Sequence, residues 1–143
     1  MRRLSAALLL SSFLLWPVVA TAEKGAFTHP GVAKDAERYE SFLKSNWKAG
    51  KAKPAELRLA ADKVLATDPR AASRLYAEAV VAEERNAQGW LGLARALLAI
   101  QPDPNKSSER YDLPLNASGA AYTAYQRATD GATKARALAI LGE

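Results

Sequence analysis

Cysteine is absent from the 143 residues, which excludes disulfides, thiolate metal sites and a lipid anchor carried on a cysteine. Histidine occurs once, as His29 between Thr28 and Pro30, and a lone loop histidine lacks the partners that metal centres and catalytic triads require. No Gly-rich phosphate loop and no Ser–His or Cys–His pairing is present. Neither sign of charge dominates: 20 Lys and Arg stand against 15 Asp and Glu, a formal +5. That excess is spread among alternating signs and is not a nucleic-acid footprint. The densest basic stretch, Lys44 to Lys53, reads as a solvated helix end whose charge suits the macrodipole. Carboxylates for a hydrolase, about 5–10 Å apart with one in an apolar pocket, are also missing. Glu83 and Glu84, near Glu78, fall at a helix end beside Arg85. The chain therefore reads as non-enzymatic, with no cofactor, no metal and no catalytic residue.

What is present begins with an export signal over residues 1–22. Arg2 and Arg3 form a positive start, and the apolar run Leu4 to Trp16 is too short to span a bilayer. Pro17 breaks that run, and Ala20-Thr21-Ala22 is a small-x-small cleavage site. Sec export with cleavage after Ala22 is expected, giving a periplasmic or secreted protein with no membrane attachment once the signal is gone. The charge of +5 falls to +3 when Arg2 and Arg3 leave with it.

The stretch DPRAASRLYAEAVVAEERNAQGWLGLARAL, from Asp68 to Leu97, reads as helix, tight turn, helix. Ala72, Tyr76 and Ala79 share one stripe of the first helix, and Trp90, Leu93, Ala94 and Leu97 one stripe of the second. Small residues let the backbones approach while Tyr76 and Trp90 fill the flanking space, as in ridges-into-grooves packing of an antiparallel pair. This order resembles the tetratricopeptide repeat, a unit of 34 residues with W-x2-L-G-x2-Y and A-x3-F spacing. Ala94 stands where that family has Gly, and Glu84 where it has the closing Pro. Backwards, Leu59-Ala60 echoes Leu93-Ala94, with Glu56 and Lys63 in the aromatic positions. Forwards, Ala121, Tyr125 and Ala128 repeat the first stripe, and Leu138, Leu141 and Gly142 the second. Leu93 and Leu141 lie about 48 positions apart rather than 34, which puts an insertion of about 15 residues after Ile100. The alternative is a generic helical bundle that matches the spacing.

In chain order, residues 23–31 read as a flexible mature N-terminus, and residues 32–143 as the helical repeat domain with a loop insertion at 101–115. From Val32 to Lys48 the positions Val32, Ala36, Tyr39, Phe42, Leu43 and Trp47 follow helical spacing, so this helix is expected to cap the array with its aromatic face buried. Pro54 opens the next helix. Asp68 and Asn86 are candidate N-caps. Residues 101–115 hold three prolines and no helical period, as expected of a surface loop with local ion pairs or one that docks on another domain. Asn116 is expected to cap a helix over 117–129, Asp130-Gly131 to end it, and Thr133 to cap the last one. That last helix is expected to lack a terminating signal and to leave Leu138, Ile140 and Leu141 exposed, which suggests a chain continuing past Glu143. The fold class is accordingly all-α: about six helices in tetratricopeptide-like antiparallel hairpins forming a short right-handed solenoid, incomplete at its C-terminus.

In ERYDLPLNASGAAYTAYQRA, DAERYESFLKSNW and WLGLARALLAI the chain resembles the extreme N-terminal region of bacterial alpha-2-macroglobulin-like proteins. The resemblance implies the first part of a periplasmic protease inhibitor, in which a helical segment precedes macroglobulin domains. Its partners would be further domains of the same polypeptide, target proteases or envelope proteins, and not nucleic acid. The tetratricopeptide likeness implies a groove lined by the first helix of each pair, with Gln88, Leu91, Arg95 and Leu98 as candidates; the same residues could instead pack on a neighbouring helix or domain. A free-standing periplasmic tetratricopeptide-type adaptor or assembly factor is the alternative function.

Overall fold

The structure, a computed structural model, describes residues 27–142. The predicted signal peptide, with Ala20 and Ala22 at its cleavage site, and residues 23–26 lie outside the described residues. Those residues form six helices and no strand: α1 Pro30–Asn46, α2 Pro54–Val64, α3 Pro69–Ala82, α4 Ala87–Ala99, α5 Glu109–Arg127 and α6 Gly131–Leu141. None of the six is long and apolar enough to cross a membrane.

Helix starts follow local chemistry. Three helices begin with proline in the first turn, where its fixed φ is already helical and its missing N–H costs nothing. Asp68 caps α3 by accepting from the Ala71 N–H at 3.0 Å, and Asn86 caps α4 through the Gly89 N–H at 3.2 Å. Asp130 caps α6, its carboxylate accepting from both the backbone N–H and the hydroxyl of Thr133 at 2.9 and 3.0 Å. Thr133, expected as the cap, is thus the residue being capped onto, and Asp130-Gly131 opens a helix rather than closing one. Gly142 sits at φ +86° and donates to the Ala139 and Leu138 carbonyls, so α6 has the glycine terminator that the sequence reading denied it. Ile140 and Leu141 are half-buried against the core rather than fully exposed.

Each of α2 through α6 packs on its neighbour in sequence, and α4 also touches α2 and α6, an arrangement compatible with stacked hairpins. The core joins both stripes of the α3–α4 hairpin: Ala72, Tyr76, Ala79, Trp90, Leu93, Ala94 and Leu97 are all buried. Ala121 and Ala128 are buried as well, and Tyr125 half-buried. Helix α1 departs from the expectation that it caps the array. It packs on α5, touches α3 and makes no contact with α2. The permissive residue is Gly119 of α5, where an added Cβ would lie 3.2 Å from the Ala36 Cα and 3.3 Å from its nitrogen. The two backbones meet there, and only a residue without a side chain fits without displacement.

Candidate functional site

Residues 27–31, the described part of the N-terminal segment, are tied to the helices. His29 is the N-cap of α1, its Nδ1 accepting from the Val32 N–H at 3.1 Å, so Pro30 and Gly31 belong to the helix. The Phe27 N–H donates to the Tyr125 hydroxyl at 2.7 Å, and the Phe27 ring meets Tyr122 and Tyr125 edge-on with centroids 6.1 Å apart. The lone histidine, read as incidental, thus has a structural task.

The predicted insertion is also reapportioned. Only residues 100–108 are outside helix, and α5 begins at Glu109 rather than near Ala117. Asn116, expected as a cap, lies in its third turn. Pro114 is inside this helix, where it removes one N–H from the ladder. The loop is pinned by Glu109. The Arg70 guanidinium grips its carboxylate at 2.9 and 2.7 Å, and the Asp103 N–H donates to the same group at 2.7 Å. Arg70 also reaches the Gln101 carbonyl at 3.2 Å. These bonds, with the Arg70 pair foremost, hold the Glu109 carboxyl at a pKa of about 2.

A second polar knot fastens α1 to the turn between α3 and α4. Arg127 donates to Glu40 at 3.2 and 2.7 Å and lies over the Trp90 ring. The Trp90 indole N–H donates to the Glu84 carbonyl at 2.7 Å. Lys44 pairs with Glu40 at 3.0 Å and with Glu84 at 2.7 Å. The Glu84 bond is the leading reason that the Lys44 ammonium is raised and the Glu84 carboxyl lowered from their ordinary values. Glu83 pairs with Arg58 at 3.1 Å. Glu83 and Glu84, two of the three carboxylates considered for hydrolysis, therefore each sit in an exposed ion pair.

The four groove candidates separate. Gln88 donates to the Thr133 hydroxyl at 2.8 Å, bracing α4 against α6. Leu91 is buried, at 2% exposure. Arg95 is exposed and Leu98 is 52% exposed. Between α4 and α6 lies a groove of about 480 Å³ lined by Leu91, Arg95, Arg136, Ala139 and Ile140. Leu91 and Arg95 are brought together there, while Gln88 and Leu98 are not among its lining. Arg136 and Ile140 come from α6 and were missed as site residues; the repeat spacing that matched α6 to α4 was the signal available. Neither arginine has an ion-pair partner among the described residues. An apolar floor between two unmatched cations suits a segment carrying both acidic and aliphatic side chains.

No protein-family model, no curated protein and no solved structure matches this chain.

Proposed function

We propose that the chain is a non-catalytic helical-repeat interaction module that holds an extended, acidic segment of another protein, or of its own polypeptide, in the groove between α4 and α6. The observation that carries this reading is that Arg95 of α4 and Arg136 of α6 line one groove with Leu91, Ala139 and Ile140. The aliphatic side chains of the groove can seat aliphatic groups of a bound segment, and the guanidinium groups of Arg95 and Arg136 supply orientation and charge selectivity. A peptide array of graded acidic content tests it. Binding that rises with acidic residues and falls about tenfold or more in the Arg95→Glu, Arg136→Glu double variant supports the module. Binding indifferent to peptide charge, or no binding, sinks it.

The finer reading places this module at the N-terminal end of an exported alpha-2-macroglobulin-like protease inhibitor, with periplasmic location following from the signal sequence. It is supported by the likeness of residues 109–128, 35–47 and 90–100 to that region. Sequencing the source gene beyond codon 143 discriminates. A further helical repeat followed by strands of period two favours the inhibitor, and a stop codon there favours a free-standing adaptor.

A further inference from the structure

The α4–α6 groove is not the only open surface. A furrow of about 450 Å³ separates α1 from α3 and the first turns of α5. It exists because α1 rests on α5 and barely reaches α3. The aromatics of α1 were expected to be buried together, yet Phe42 is 50% exposed and Trp47 half-buried. Phe42 divides this furrow from a smaller cavity of about 280 Å³ that it shares with Leu115, itself 41% exposed. With half-buried Leu113 in the furrow wall, these four side chains form an apolar strip that the described residues leave partly open to water.

The rim decides what covers it. Arg74 of α3 and Asp112 of α5 both line the furrow, both are exposed, and neither has an ion-pair partner among the described residues. A charged rim that meets itself across a two-fold axis is self-complementary only if it carries both signs, because a rim of one sign would repel its own copy. The α4–α6 groove, with arginines alone, cannot face itself. This furrow can, and we infer that it is the interface of a homodimer. The two-fold brings Arg74 of each copy towards Asp112 of the other and closes Phe42 and Leu115 from water.

Sedimentation equilibrium on the chain purified from cells expressing the full 143-residue sequence tests this inference. A monomer–dimer equilibrium is expected. Arg74→Asp and Asp112→Arg should each weaken it about tenfold or more, and combining them should restore it to within about threefold of the parent. Leu115→Glu should abolish the dimer. Circular dichroism should be unchanged in the charge variants, since neither side chain is in the core. A chain that stays monomeric, or a dimer whose constant ignores Leu115→Glu, or a double charge reversal no better than the single ones, overturns the inference.

Discussion

Gly92 and Tyr76 compete for the same volume at the centre of the α3–α4 hairpin. A Cβ at Gly92 would lie 2.6 Å from the Tyr76 Cζ and 2.8 Å from its Cδ1, closer than side-chain atoms pack. Tyr76 cannot swing away easily, because it is only 2% exposed and its hydroxyl donates to Asp62. Gly92→Ala should therefore destabilise by about 1–3 kcal/mol by overpacking, despite alanine's better helix propensity. Urea unfolding measures this, and a neutral or stabilising result would mean the hairpin is less closely packed than described. The sequence showed the two stripes containing Tyr76 and Trp90 but not this glycine, because spacing reveals which residues share a face and not which one faces a ring on the neighbouring helix. Glu109 is a second case. Its low pKa means that its contribution to stability is complete above its ordinary value of 4.5 and is lost as pH falls from there to about 2. Glu109→Gln should lower stability at neutral pH and flatten the acid limb, so that parent and variant converge near the bottom of that range. Urea midpoints measured at neutral pH and at each end of that window would expose parallel curves, which would contradict the Arg70–Glu109 clamp.

At the scale of the element, α5 is where sequence and structure part most. Residues 109–115 were read as loop because the 101–115 stretch has three prolines and no helical period. Pro114 is nevertheless held inside the helix as its sixth residue, where the tertiary clamp of Arg70 on Glu109 fixes the first turn. Pro114→Ala should restore one backbone hydrogen bond and relieve the ring's clash with the preceding turn, raising stability by about 1–2 kcal/mol net of the entropy it returns to the unfolded chain. A loss of stability in a thermal melt would show that the proline is needed for the loop's path. Helices α2 to α4, by contrast, were legible in position, and α3 and α4 in their packing stripes, since Asp68 and Asn86 cap through short-range hydrogen bonds and Pro54 and Pro69 are pre-set for a first turn; Leu59, matched to buried Leu93 by the repeat spacing, is exposed. The path of α1 was not, because its partner is α5, more than sixty residues away, and the contact turns on Gly119. Nothing local distinguishes that glycine from one in a weak helix.

At the scale of the molecule, six helices present two different open surfaces. One, between α4 and α6, is cationic with apolar lining; Leu91 and Arg95 were groove candidates read in the sequence, and Arg136, Ala139 and Ile140 come from α6. The other, between α1 and α3, has both signs of charge and exposed aromatic surface, and it follows from the unforeseen placement of α1. The first suits recognition of an acidic segment and the second self-association. Amide chemical-shift mapping during titration with an acidic, aliphatic-rich extended peptide separates them. Saturable shifts confined to residues 91–95 and 136–140 are expected, lost in the Arg95→Glu, Arg136→Glu variant. Shifts clustered instead around Phe42 and Leu115, or none that saturate, would contradict the proposed role of the α4–α6 groove.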